Sequence, residues 1–288
     1  MVQIVTDSMS DLTPYEAREI GVVLLPLTIR FGTEEYREGI DISREEFFQR
    51  LRQSDVLPKT SQIPPDGFYK AFTDILSQKD TEILYIAGSS RISGCYQSAC
   101  IARDMLDTPE RVEIVDSLIA ISSQALLVRM AAQERSQYPT AAGLAEYVEG
   151  LRNHQRCFGM ADDLKYLVMG GRLSPLVAKV GTALSIKPML KFEGGEILQA
   201  GLVRGKHKAN AWYVEKLKQY PPREDIPILI AGCDCPAEAE KLKEHIENQK
   251  MTLPPVSTMG VGAVIGTHVG PGLMSISWIE RETASSGR

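Results

Sequence analysis

At 288 residues, with 43% hydrophobic and 24% charged side chains, the chain has the composition of a packed globule, long enough for one large or two ordinary domains. A formal net charge of −5 offers phosphate backbones no global attraction, so nucleic acid is excluded as a partner unless a local basic patch carries the binding. Five cysteines in a chain too large to need staples fit a reducing compartment, and with no basic-then-apolar leader and no apolar run near ~20 residues the expectation is a cytoplasmic protein without stable membrane insertion.

Val2 to Thr6 is a β-branched run that reads as a strand, followed by a polar turn at Asp7-Ser8. Thr13-Pro14-Tyr15-Glu16 then opens a helix, with Thr13 as cap, Pro14 at the first helical position and Glu16 reaching back. Val22 to Arg30 reads as a single strand, and Ser43 with Glu46 caps a helix to about Ser54. A turn at Thr60-Ser61-Gln62 precedes a helix start at Pro64-Pro65. Ile83 to Ala87 reads as a fully buried strand, Gly88-Ser89-Ser90 as a loop and Ser93 to Leu106 as a helix. Val112 to Val115 is a further strand ending at Asp116-Ser117, followed by helices over Ile119 to Gln137 and from a Thr140 cap to about Gln155. Strands alternating with helices imply a mostly parallel sheet covered on both faces, with ligands bound beyond the carboxyl ends of the strands.

From Cys157 the pattern changes. Met189 to Phe192 and Ile197 to Val203 flank Gly194-Gly195 as a hairpin. Helix Ala209 to Gln219, strand Ile226 to Ala231, helix Pro236 to Gln249 and strands Val256 to Met259 and Leu273 to Trp278 complete a smaller unit. The predicted fold class is therefore α/β in two domains: a mostly parallel-sheet domain over 1–156 and a smaller mixed-sheet α/β domain over 157–281. The chain is expected to fray from Glu280 onward, with 282–288 as a tail.

Four polar clusters fall in predicted loops: Thr60-Ser61-Gln62, Ser89 to Gly94, Gly170-Gly171-Arg172 and Gly266-Thr267-His268. The plain reading of the first is a turn whose hydroxyls bond their own backbone. Ser93 reads as a helix N-cap, a role compatible with carboxylate or phosphate binding at free N–H groups. Neither Ser90 nor Ser93 lies in the GxSxG elbow of α/β hydrolases, although triads occur on other folds, so hydrolysis stays as an alternative.

Cys233 and Cys235 form a CxC pair without the further ligands of a zinc site, so the thiols read as buried or half-buried and no metal is expected. Gly260-Val261-Gly262 lacks the spacing of a dinucleotide loop and reads as a tight helix-to-strand passage, and no GxxxxGK[ST] phosphate loop is present. Lys206-His207-Lys208 beside Arg204 reads as a solvated helix start, with docking to an acidic partner as the alternative. His154 and His245 read as solvent-facing.

Taken in order, these segments resemble the DegV family, fatty-acid-binding proteins that serve in bacteria as the FakB-type subunit of fatty acid kinase. The resemblance runs nearly end to end. It is carried by Thr6-Asp7-Ser8, Thr60-Ser61-Gln62, the run from Ser89 to Ala99, Asp116-Ser117, Leu164 to Leu167, Gly170-Gly171-Arg172-Leu173-Ser174, Lys187-Pro188 and Ile265 to Gly272. Ile92 and Cys95 depart from the usual leucine and threonine, which bears on tunnel shape more than on the Ser93 hydroxyl.

The resemblance implies a two-domain fold with a palmitate-like acyl chain between the domains. Thr60 and Ser93 would bind the carboxylate, aided by the Gly94 backbone and His268, with Ser61 and Thr267 as supporting residues. Arg172 and Arg204 become candidates for contact with the kinase or the nascent phosphate. It further implies that this chain is not an enzyme and carries no cofactor, since a separate fatty acid kinase catalytic subunit would make the acyl-phosphate. A lipid-handling hydrolase or acyl-transfer enzyme and a passive fatty-acid store are the alternatives. An elongated cavity lined by aliphatic side chains, open near Thr60 and Ser93, is expected.

Overall fold

The computed structural model describes residues 1–173 and 186–282; Ser174 and the 283–288 part of the expected tail lie outside them. Strands β1 (Val2–Asp7), β2 (Val22–Leu25), β6 (Glu82–Ala87) and β7 (Val112–Asp116) form a wholly parallel sheet in the order β2-β1-β6-β7. The side chains of the central strands β1 and β6 are largely buried on both faces, as their apolar runs demand. At its carboxyl edge the buried Asp7 accepts hydrogen bonds from Tyr85 Oη at 2.6 Å, Met9 N at 2.9 Å and Gly88 N at 3.1 Å. Burial raises the Asp7 pKa despite these bonds, so this carboxyl group ties loops together inside the fold.

The single strand expected over Val22 to Arg30 is two strands in two sheets. Pro26 has no N–H to give a ladder, β2 stops at Leu25, and the chain resumes as β3 (Thr28–Phe31). That strand is the centre of a three-stranded antiparallel sheet with β4 (Glu34–Arg37) and β5 (Lys59–Ser61). Thr60 therefore lies in a strand, opposite Ile29, and not in the turn expected for it.

A six-stranded mixed sheet follows the order β10-β9-β8-β13-β11-β12, with β8 (Gln155–Met160), β9 (Ile186–Glu193), β10 (Glu196–Arg204), β11 (Ile228–Gly232), β12 (Val256–Gly260) and β13 (Met274–Ile279). Only β11 and β12 pair in parallel. The β9–β10 turn is Gly194-Gly195, both with positive φ, the geometry of a two-residue hairpin turn. Strand β8 begins where a helix was expected to end. Glu280 is not frayed: it accepts from Arg156 Nε at 2.7 Å, and its N–H donates to His154 O at 2.8 Å.

Helix α5 (Ile121–Glu134) packs against β1 and β6 on one side and β8, β11 and β13 on the other. Ten of its fourteen residues are buried, which explains its lack of a clean amphipathic period. Its buried amide nitrogen and hydroxyls reach both sheets: Gln124 Nε2 donates to Thr6 Oγ1 at 3.1 Å, and Ser122 and Ser123 reach Ser277 Oγ at 2.8 and 2.7 Å. The largest apolar cluster likewise joins both halves of the sequence, bringing Phe47, Phe68 and Tyr85 together with Leu167, Leu190 and Val264.

The short helix Ala263–Val269 was expected to be loop, and the glycines before it form a strand-to-helix passage, the reverse of the expected one. Six of its seven residues are buried, so no polar face marks it in the sequence. It ends at Gly270, whose φ of +71° and ψ of 168° only glycine adopts without strain, and a Cβ there would lie 2.2 Å from the Tyr166 ring. Gly270→Ala is expected to destabilise the fold by about 1–3 kcal/mol, read as a lower urea midpoint; an unchanged midpoint would contradict this packing.

Candidate functional site

Three elements distant in sequence meet at one neck. Strand β5 delivers Thr60, whose position is set by pairing with β3. The Ala263–Val269 helix delivers His268, and Thr60 Oγ1 lies 2.8 Å from His268 Nε2. The turn after α7 (Lys165–Met169) delivers Arg172, which donates from Nε to Ile92 O at 3.1 Å and from a terminal nitrogen to Gly170 O. Arg172 thereby fastens this turn to the serine loop. Ser93, in that loop, accepts from Cys95 N at 3.3 Å.

Thr60, Ser93, Arg172 and His268 line a cavity of about 450 Å³ whose other walls are apolar, among them Met9, Leu27, Ile121, Phe192 and Val264. An inner cavity of about 340 Å³ shares Ile121, Leu167, Phe192, Ile197 and Val269 with it and continues to Leu190, Cys157 and Leu273. On the outer side, Thr60, Arg172 and His268 also line a surface groove of about 870 Å³ with Val56, Tyr166 and Met169. The polar residues thus stand between solvent and an elongated apolar space.

Among the described residues, Arg172 is the one charged side chain lining the first cavity. It is half-buried, and desolvation lowers its pKa from the ordinary arginine value. Among the described residues it makes no ion pair, and a guanidinium at this place is able to meet an anionic group. Burial, and secondarily the Arg172 charge, lowers the His268 pKa to about 4, which makes the imidazole neutral at physiological pH. Its Nδ1 is buried without a partner among the described residues. A proton on Nδ1 would leave a buried donor unpaired, whereas a proton on Nε2 is used in the bond to Thr60. The Nε2–H tautomer therefore frees the Thr60 hydroxyl proton to point at a ligand.

The other residues read from the sequence fall elsewhere. Gly94 occupies the N-cap position of α4 (Cys95–Asp104), behind Ser93 and off the cavity lining. The space a Cβ would take there is filled by Gln62. Ser61 is exposed. Thr267 is buried, and its hydroxyl donates to Ala263 O at 2.9 Å within its own helix. Arg204 is exposed at the end of β10, beside the exposed Lys206-His207-Lys208. The sequence reading missed Asp11 and Glu38, whose carboxylates accept from Gly262 N at 2.8 Å and Val264 N at 3.2 Å and so hold the helix that carries His268. No local pattern marks them.

His268 has no carboxylate at Nδ1 among the described residues, so a Ser-His-Asp arrangement is not assembled there. Among the described residues, no group of three or more His, Cys, Asp or Glu is placed to hold a metal, and no helix is long and apolar enough to cross a membrane.

Residues 1–281 match the family described as "Uncharacterised protein, DegV family COG1307". A DegV domain-containing protein of Halalkalibacterium halodurans is 33% identical over 280 residues, covering 96% of this chain and 98% of its own. A DegV family protein from Thermus thermophilus, solved for its fatty acid binding, superposes with a TM-score of 0.88 at 27% identity, over 97% of this chain and 99% of its own. The Fatty Acid Kinase (Fak) B3 protein of Streptococcus pneumoniae, loaded with linoleic acid, superposes with a TM-score of 0.85 over 98% of this chain and 100% of its own. At 20% identity, that last likeness is one of fold.

The His268 assignment has a pH consequence. The folded chain takes this proton only near pH 4, against 6.5 for a free imidazole. The unfolded state therefore binds more protons between these values, and stability falls as pH drops from 6.5 towards 4. Imidazole NMR is expected to show His268 neutral at pH 6; a midpoint near 6.5 would contradict the buried neutral assignment.

Proposed function

The chain belongs to the DegV family, and from that footing we propose that it buries a long-chain fatty acid between two α/β domains, residues 1–156 and 157–281, and presents the carboxylate to a separate kinase. The observation that carries this reading is the neck itself: Thr60, Ser93, neutral His268 and the cation Arg172 bordering an otherwise apolar cavity. Such a site suits a ligand with one anionic end and a long apolar body. The solved Thermus thermophilus relative, described for its fatty acid binding, supports the same class of ligand.

Energetics assign separate roles to the two ends. An acyl chain of about sixteen carbons gains roughly 0.8 kcal/mol per buried CH₂, of order 10 kcal/mol gross before ordering costs. A carboxylate removed from water needs its lone pairs met. The Thr60 and Ser93 hydroxyls donate to it, and Arg172 balances its charge. Neutral His268 holds Thr60 in the donating orientation.

Partner recognition follows from where the neck opens. Thr60, Arg172 and His268 border the outer groove as well as the cavity, so a catalytic subunit seated there reaches the carboxylate while the chain stays buried. In this reading the protein works in the cytosol, binds no cofactor and leaves acyl-phosphate formation to the kinase. Arg204 and the neighbouring basic residues offer that partner an exposed cationic ridge.

Lipid extraction and mass spectrometry of the purified protein should recover a long-chain fatty acid. Thr60→Ala and Ser93→Ala should each lose a hydrogen bond to a charged group, about 1.5–3 kcal/mol, and so weaken binding roughly tenfold to hundredfold in a fluorescent competition assay. Acyl-phosphate formation with a purified kinase separates presentation from passive storage. Folded variants that bind as tightly as the parent would place the carboxylate site elsewhere.

A further inference from the structure

Behind the inner cavity lies a larger polar cleft of about 1190 Å³, bordered by Arg152, Arg156, Lys216 and Tyr220. One residue, Phe192, lines this cleft and both apolar cavities. Lys191 and Cys157 line the cleft and the inner cavity. Apolar space and open cleft therefore adjoin at Phe192, which is half-buried.

The backbone carrying this ring is held at two places. Phe192 pairs across the β9–β10 hairpin with Ile197, itself a lining residue of both apolar cavities. The hairpin tip is anchored by a buried bond from Ser89 Oγ to Gly195 O at 2.7 Å. With the strand fixed, the ring's size decides whether the apolar space stops there or continues. The cleft beyond, bordered by cationic side chains, gives methylenes no dry surface, so chain passing the wall adds little affinity.

We propose that Phe192 sets the upper length of acyl chain this protein accepts, closing the far end of the tunnel against the polar cleft. The inference rests on the fatty-acid reading above and adds the residue that ends the tunnel. Within the tunnel each added methylene strengthens binding about fourfold. Once the chain end meets the ring, a further methylene is forced into filled space and weakens binding about five- to hundredfold. Removing the ring lets the excess chain emerge into the cleft and relieves this penalty.

The test is to measure affinities for saturated acids of increasing length, from roughly fourteen to twenty-two carbons, for the parent, Phe192→Ala and Phe192→Leu, with folding checked by circular dichroism. The parent should show an optimum followed by a fall. Both variants should retain binding beyond that optimum, raising the affinity ratio of the longest acid to the optimal one by about tenfold or more. The leucine variant, which keeps an apolar wall, carries the test if the alanine variant does not fold. A parent that binds fatty acids with a length profile unchanged in the folded variants would overturn this inference alone. A parent that binds no fatty acid of any length would overturn the binding reading, and this inference with it.

Discussion

A guanidinium set at the mouth of an apolar cavity loses part of its solvation, and a hydrogen-bonded anion would compensate for it; around Arg172 this constraint organises the site. Among the described residues its partners are the neutral carbonyls of Ile92 and Gly170, which satisfy donors without cancelling charge. Burial, and secondarily this cation, holds His268 neutral, so among the described residues the neck presents one positive charge and not two. One positive charge with two hydroxyl donors matches one carboxylate. The imidazole contributes orientation, since its bond to Thr60 decides which way that hydroxyl points.

Nothing at the neck is local. Thr60 and Ser93 come from the first half of the chain, Arg172 and His268 from the second, and the site exists only because the two halves share a core. Helix α5 makes that sharing possible by burying itself between the parallel and mixed sheets and bonding to both through Gln124, Ser122 and Ser123. The helix bearing His268 is held from the other side by Asp11 and Glu38. Its amide-to-carboxylate contacts span more than two hundred residues, so altering the amino-terminal loops acts on the neck without touching a ligand.

What could be read in the sequence was what is decided within a few residues. The Thr13/Glu16 capping box, the Ser43 and Thr140 caps and the Gly194-Gly195 hairpin stand as expected because each is a local bargain between side chain and backbone. The break at Pro26, the three-residue β5 and the Ala263–Val269 helix were not legible. Their existence depends on partners far along the chain, and an element buried on every side has no periodic face to betray it. Thr60, Ser93 and His268 were reached through family resemblance and not spacing: Thr60 and His268 are 208 positions apart. The resemblance marks Arg172 as a contact for the kinase or the nascent phosphate, whereas its place on the cavity lining depends on the bond from its turn to Ile92, 80 positions away.

The most direct test of the central claim is a crystal structure of the protein with palmitate. The account predicts carboxylate oxygens within about 3.2 Å of the Thr60 and Ser93 hydroxyls, near the Arg172 guanidinium, with the chain running past Ile121 towards Phe192. A palmitate bound elsewhere, or one reversed with its carboxylate at the Cys157 end of the tunnel, would contradict it.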